Sequence, residues 1–208
     1  MDKKISKAVI SRMPRYYRYL GALMQNGIER ISSKDLSERM NITASQIRQD
    51  LNNFGGFGQQ GYGYNVAMLH DEIGKILGID NTQNVIIVGV GNIGHALARF
   101  LVPDINGFHL CGLFDANPAL KGMEISGIKV QSMDEFAAFT KENQVDIAIL
   151  TVPHDDAKDV AEEIVANGIN AIWNFALIDL NLSKKDVVIE NVHLVESLMR
   201  LSYNRNNQ

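Results

Sequence analysis

Up to about residue 78 the apolar positions recur at helical spacing; beyond it they gather into short continuous runs. Tyr16, Tyr19, Leu20, Leu23 and Met24 recur at intervals of three and four within 14–27, which predicts an amphipathic helix. Pro14 suits its first turn and Gly27 its end. Ser32 caps a second predicted helix that ends at Met40. Asn41 and Ile42 make a turn, and Thr43 opens a third helix over 44–54. Gln46, three residues after Thr43, predicts a capping box. Ile47, Leu51 and Phe54 share one face of this helix, while Ser45, Gln46, Arg48, Gln49 and Asn52 lie mostly on the others. Residues 55–64, GGFGQQGYGY, predict a tight β-hairpin. Asn65 then caps a helix over 66–77 that closes at Gly78.

From Asn84 the period changes. Val85-Ile86-Ile87-Val88 is a continuous apolar run, as in a strand buried on both faces. Further runs occupy 108–115, 145–152 and 170–175, with a shorter one at 187–189. Helical segments fall between them: 95–102, 133–140 capped by Ser132 with Glu135 three on, and 155–167 ended by Gly168. Strands alternating with helices predict an α/β fold with a parallel sheet and crossover helices. The domain boundary is placed within 79–83, and 204–208 read as a polar tail.

Two short helices joined by a tight turn, the second polar on its outer face, describe a helix-turn-helix. Gln, Asn, Ser and Arg are side chains that reach base edges in a major groove. The glycine-rich hairpin that follows suits the wing of a winged helix. A helical cap domain with no DNA role is the other reading of these helices. Charge bears on the choice. The net charge of −4 speaks against nucleic acid, yet residues 1–60 alone carry +5 and the remaining 148 carry −9. That asymmetry suggests a basic module joined to an acidic one.

The apolar fraction of 46% and charged fraction of 21% are ordinary for a soluble globular protein. No apolar run is long enough to span a bilayer, and the first residues show no export signal. Cys111 is the single cysteine, so no intrachain disulfide forms, and a reduced, cytoplasmic protein is expected.

The second half carries nucleotide chemistry. Gly89-Val90-Gly91-Asn92-Ile93-Gly94 follows a buried strand and opens a helix. In such a turn the first glycine allows the bend, the second lets backbone approach a pyrophosphate, and the third lets helix and strand pack closely. The pyrophosphate then sits at the helix N-terminus. Asp115 closes the second strand, with Ala116 next; a carboxylate there accepts ribose hydroxyls and repels a 2′-phosphate, favouring NAD over NADP. Thr151-Val152-Pro153 and Asn174-Phe175-Ala176 end two later strands, where ligands of open α/β sheets bind. Asn174 offers a donor and an acceptor to an amide or ribose, although ordinary turn chemistry accounts for these residues as well. No catalytic set stands out. His154 and His193 lie near strand ends, and His154 with Asp155 and Asp156 reads as the polar start of a helix. The five histidines show no metal-ligand spacing. A nucleotide pocket without catalytic machinery suggests a sensor rather than an enzyme.

Taken in order, the motifs resemble a known family, the redox-sensing transcriptional repressors called Rex. The resemblance rests on Pro14-Arg15-Tyr16-Tyr17-Arg18, Ile31-Ser32-Ser33, Ile47-Arg48-Gln49-Asp50-Leu51, Phe54-Gly55 and Gly61-Tyr62-Gly63-Tyr64. In the second half it rests on the glycine motif, Phe114-Asp115, Thr151-Val152-Pro153, Asn174-Phe175-Ala176 and Glu190-Asn191-Val192. It implies a winged-helix DNA-binding domain (1–80), a Rossmann NAD(H)-binding domain (81–193), and a C-terminal helix and tail (194–208) that swaps onto a partner copy. It implies a homodimer on palindromic operator DNA, released by NADH, while NAD⁺ competes without releasing it well. The DNA-contacting set then comprises Arg15, Ser33, Lys34 and Thr43, the helix residues Ser45, Gln46, Arg48, Gln49 and Asn52, and Gln60 and Tyr62 of the wing.

Three positions depart from the family pattern. His193 stands where the family often has an aspartate that pairs with the arginine matching Arg18. Phe100 stands where some members have a tyrosine. Gln59 and Gln60 stand where the wing often carries basic residues, which lowers phosphate affinity and its salt dependence. Arg18, Phe100 and His193 belong to the redox switch, so weaker discrimination between NADH and NAD⁺ is expected, with a pH dependence if His193 titrates. The competing readings are an NAD-dependent enzyme with an accessory DNA-binding domain, a regulator reading coenzyme A or NADP, and a nucleoid-type protein that binds DNA without sensing.

Overall fold

A computed structural model describes residues 5–53, 62–102 and 104–207, and the backbone of the pair 58–59. Phe54, Gly55, Gln60, Gly61 and the side chain of Gln59 lie outside the described residues. The chain divides into two compact units, Met1–Asn81 and Thr82–Gln208.

The first unit holds α1 (Lys7–Ile10), α2 (Met13–Gln25), β1 (Arg30–Ile31), α3 (Ser33–Met40), α4 (Ala44–Leu51), β2 (Gly58–Gln59), β3 (Gly63–Asn65) and α5 (Val66–Leu77). α2 buries Met13, Tyr16, Leu20 and Leu23, which recur every three or four residues, against Leu36, Met40, Ile47, Leu51, Leu69 and Ile73. Met24, expected on that face, is 40% exposed. Ser32 and Asp35 form a reciprocal capping box on α3, and Asn41 ends it in the left-handed conformation at φ 52°. α4 is shorter than its pattern suggests. It ends at Leu51, with Asn52 as its C-cap. Three strands pair antiparallel in the order β1-β3-β2. β1 has too few residues to show a period. Gly63 has φ +70°, and a Cβ there would lie 2.6 Å from the carbonyl oxygen of Ile31, so only glycine fits this pairing.

The second unit holds β4 (Gln83–Val88), α6 (Asn92–Leu101), β5 (Phe108–Asp115), β6 (Glu124–Ile125), β7 (Ile128–Ser132), α7 (Phe136–Glu142), β8 (Ile147–Leu150), α8 (Ala157–Ala166), β9 (Ala171–Asn174), β10 (Val188–Asn191) and α9 (Leu194–Asn206). The strand order is β10-β9-β8-β4-β5-β7-β6, parallel except for the β6–β7 pair. The predicted apolar runs become these strands, although 145–152 contributes only Ile147–Leu150, which leaves Thr151 to Pro153 as a turn. β4 explains the run it came from. Ile86 and Val88 face the layer of α7 and α8, while Val85 and Ile87 face the layer of α6. The chain leaves β4 toward β5 and later returns to β8 on the other side, so the sheet changes winding direction at β4. Open α/β sheets bind ligands in the crevice at that point. α9 runs through Asn206 and takes in most of the expected polar tail. None of its residues is buried, and Leu194, Leu198 and Leu201 are each more than half exposed.

Candidate nucleotide site and nucleic-acid interface

A crevice of about 890 Å³ opens at the carboxyl ends of β4, β5 and β8, within the size range of small-molecule sites. Its floor is the glycine turn. Gly89 has φ +93°, and a Cβ on it would lie 2.8 Å from the carbonyl carbon of Thr151. A Cβ on Gly94 would fall on the carbonyl oxygen of Gly89. A Cβ on Gly91 would meet no protein atom within 4 Å. The first and third glycines therefore let the chain turn and pack, while the second keeps the crevice open. Thr151 clamps the turn by donating from Oγ1 to the carbonyls of Gly89 (2.5 Å) and Val88 (3.2 Å). Gly91 is the N-cap of α6 and offers no side chain to it, so the first-turn N–H groups face the crevice as an anion-binding end.

Asp115, the last residue of β5, accepts the backbone N–H of Val90 at 2.6 Å and that of Asn117 at 2.8 Å. One carboxylate thus ties the glycine turn to the loop after β5 and stands at the crevice edge. Of the sequence-predicted set, Gly89, Gly91, Asn92, Ile93, Asp115, Ala116, Thr151, Val152, Pro153, Phe175 and Ala176 line the crevice; Val90, Gly94 and Asn174 do not.

Asn174 is a correction. It is wholly buried and does not line the crevice, and both its amide nitrogen and its amide oxygen are engaged within the protein. Its Nδ2 donates to Ile178 O and Asn191 Oδ1, both at 2.8 Å, and its Oδ1 accepts Ala176 N–H at 3.0 Å. It shapes the loop that carries Phe175 and Ala176 and pins it to β10. Replacing Asn174 with alanine removes all three bonds, leaves the buried Ala176 N–H without its acceptor, and is expected to destabilise the second unit by about 2 kcal/mol. Thermal unfolding followed by circular dichroism checks this.

Sequence reasoning missed Asn117, Leu120, Met133, Asp156, Asp159, Val160 and Leu177 of the lining. They follow strand ends or begin α8, and no motif marks them. Met133 was within reach, because it directly follows the last residue of β7. His154 also lines the crevice and bonds the neighbouring Asp155 at 3.1 Å. Cys111 is half-buried; burial pushes its thiol pKa up, which leaves it inert. No cluster of metal ligands occurs among the described residues. None of the described helices is long and apolar enough to cross a membrane.

In the first unit, α3, the Asn41 turn and α4 form the helix-turn-helix. Arg15, Lys34, Thr43, Ser45, Arg48, Gln49, Asn52 and Tyr62 are exposed, and Ser33 is half-buried. Arg48 donates to Ser33 Oγ at 3.0 Å, which links the two helices. Arg30 lies 6.0 Å from the ring centre of Tyr62, and Arg18 lies 5.5 Å from that of Tyr19. Gln46 is a second correction. Thr43 accepts the Gln46 backbone N–H at 3.2 Å, but the Gln46 side chain does not return to close a capping box. It runs forward to Asp50 instead.

Asp50 itself went unpredicted. It is wholly buried and accepts Arg12 Nε at 2.6 Å, Arg12 Nη2 at 2.7 Å, Tyr16 OH at 3.0 Å and Gln46 Nε2 at 2.8 Å. Burial by itself raises its pKa. The bonds from Arg12, Gln46 and Tyr16 together outweigh that and hold it below the ordinary carboxylate range. The signal for it was its place on the Ile47–Leu51 face of the helix, where an ionisable group needs a partner. At the start of α9, His193 Nε2 lies 3.2 Å from Asp179 Oδ1, and Phe100 is 62% exposed on α6.

Comparison with known proteins matches both units. A family model described as "Putative DNA-binding protein N-terminus" matches residues 4–52, and one described as "CoA binding domain" matches residues 80–178. A redox-sensing transcriptional repressor Rex from Caldanaerobacter subterraneus subsp. tengcongensis is 53% identical, over all of this chain and 93% of its own. The same-named protein of Clostridium novyi is 53% identical, over 98% of this chain and 97% of its own. Among solved structures, RSP in complex with beta-NAD⁺ and operator DNA superposes with a TM-score of 0.92 at 52% identity, covering 99% of this chain and 94% of that one. RSP in complex with beta-NADH gives 0.89 at 49% identity, covering 99% and 96%.

Proposed function

Because the chain belongs to the Rex family of redox-sensing transcriptional repressors, we propose that it represses transcription as a homodimer on palindromic operator DNA and is released by NADH. One observation carries this reading: a single chain bears a helix-turn-helix with an exposed polar face and a crevice floored by an unobstructed glycine backbone. The pyrophosphate sits against Gly91 at the start of α6, and Asp115 takes the adenosine ribose. Leu120, Met133, Val152 and Val160 provide an apolar wall suited to the adenine ring. Two half-sites read by paired helices require a dimer of fixed geometry, and the exposed leucines of α9 are assigned to the partner copy. The DNA-contacting residues are Arg15, Ser33, Lys34, Thr43, Ser45, Gln46, Arg48, Gln49, Asn52 and Tyr62. Arg18, Phe100 and His193 belong to the switch.

The protein is not an enzyme on this reading: among the described residues the polar lining is His154, Asp115, Asp156, Asp159, Thr151, Asn92 and Asn117, with no arranged acid/base set. It acts in the cytoplasm, where DNA and nucleotide meet. The coenzyme A named by one family model is a poorer ligand. Among the described residues, Asp115, Asp156 and Asp159 line the crevice and no lysine or arginine does, so the 3′-phosphate of coenzyme A meets carboxylates and no cation from them.

The test is fluorescence anisotropy of an operator enriched from random DNA, titrated with protein alone and with NADH or NAD⁺. NADH is expected to release the DNA more effectively than NAD⁺. DNA bound equally tightly in all three conditions would remove the sensor reading. Asp115→Asn is expected to weaken NADH about tenfold, the scale of one charge-assisted hydrogen bond, and to narrow the preference over NADPH. NADH fluorescence titration reads both.

A further inference from the structure

The amide of Gln46 has a fixed direction. Asp50 is ionised and has no hydrogen to give, so the end of the amide that faces it is the NH2 group, at 2.8 Å. Asp50 is held in turn by Arg12 on both oxygens and by Tyr16 on one. Gln46 Oε1 has no hydrogen-bond partner among the described residues, and no buried side-chain oxygen or nitrogen there is left unpaired. Oε1 therefore opens to solvent. It does so in the first turn of α4, beside the exposed Ser45, where a recognition helix meets base edges.

We propose that Asp50 is a positioning residue for base recognition, turning Gln46 so that it reads the major groove through Oε1 as an acceptor. The group it selects is an exocyclic amino group, adenine N6 or cytosine N4, and not the acceptor pair of guanine. The proposal rests on the reading of α4 as a DNA recognition helix. The carboxylate at position 50 thus reaches base specificity without touching DNA.

The experiment uses the full-length protein and the operator that it enriches from random DNA. Single bases of one half-site are replaced by purine for adenine or 2-pyrimidinone for cytosine, which removes the amino group. In other duplexes 7-deazaguanine replaces guanine, which removes the N7 acceptor. The protein is wild type, Gln46→Ala or Asp50→Asn. The cost of a weakened base pair is common to all proteins and cancels in the comparison. At one position per half-site, removing the amino group is expected to cost wild type about fivefold more than Gln46→Ala, the scale of one net hydrogen bond. Which analogue causes the loss tells adenine from cytosine. In Asp50→Asn that sensitivity is expected to disappear at the same position, because asparagine can present its own NH2 to Gln46 and turn the amide over. A purely structural role for Asp50 would weaken every duplex alike. The proposal is overturned if Gln46→Ala loses equally on all amino-deleted duplexes as wild type does, or if the Gln46-dependent loss falls on 7-deazaguanine. Gln46→Ala carries the test alone should Asp50→Asn fail to fold. If wild type enriches no sequence, the recognition-helix reading fails and this proposal with it. If it enriches one and no Gln46-dependent amino position exists, only this proposal fails.

Discussion

Gly91→Ala is expected to fold as the wild type does and to lose NADH, whereas Gly94→Ala is expected to lose both. Gly91 has φ −71° and ψ −164°, a conformation open to alanine. A Cβ there meets no protein atom within 4 Å. Stability should stay within about 0.5 kcal/mol of the wild type, as for other substitutions that touch nothing. The methyl group instead enters the space where a pyrophosphate must approach the backbone, and NADH affinity should drop at least tenfold, or about 1.4 kcal/mol. At Gly94 the added Cβ falls on the carbonyl oxygen of Gly89 and comes within 2.9 Å of Thr151 Oγ1. Backbone cannot rotate away as a side chain does, so α6 must lift from β4. Overpacking of this kind costs about 3 kcal/mol. Thermal midpoints separate the two variants, and NADH titration shows what they share. The proposed function adds that Gly91→Ala should hold operator DNA in the presence of NADH. Wild-type NADH affinity in Gly91→Ala would move the pyrophosphate elsewhere and sink the assignment of the crevice.

What the sequence made legible is what neighbouring residues decide. The run Val85-Ile86-Ile87-Val88, the glycines after it and the carboxylate ending the next strand became β4, the turn and Asp115 in the expected places. The caps at Ser32, Asn65 and Ser132 formed for the same reason, since each acts on N–H groups two or three residues away. The misreadings involve partners set by the tertiary fold. Asn174 looked like a ligand group because the sequence does not show Asn191 beside it. Gln46 read as a cap because nothing marked Asp50 as an ionised acceptor within its reach. Arg12 and Asp50 lie 38 positions apart and meet only when α2 packs against α4. The β6–β7 hairpin escaped because its buried residues, Ile125 and Val130, are too few to set a period.

Asp50→Ala is the second large effect expected, and it should unfold the DNA-binding unit selectively. Removing the carboxylate leaves the Arg12 guanidinium, the buried Tyr16 hydroxyl and the Gln46 amide without their acceptor. Breaking a buried ion pair from one side costs 3–5 kcal/mol in general, and about 3 kcal/mol applies here because the Arg12 side chain, 28% exposed, can recover some water. The loss is asymmetric. Arg12→Ala removes the partly hydrated member and leaves Asp50 with two hydrogen bonds, so it should also destabilise, but Asp50 can take a proton in response. That difference has a pH signature. The native pKa of Asp50 lies below its ordinary 3.8, so the pair contributes fully above that value and its contribution is lost as pH falls through the native pKa. Urea unfolding should therefore show a gap between wild type and Asp50→Ala that is constant near neutrality and narrows in acid. Saturating NADH should shift the transition of the nucleotide-binding unit and leave that gap in place, because the four side chains all lie within Met1–Asn81. A gap that stayed the same down to strongly acidic pH would mean that packing around residue 50, and not its charge, holds α4 to α2.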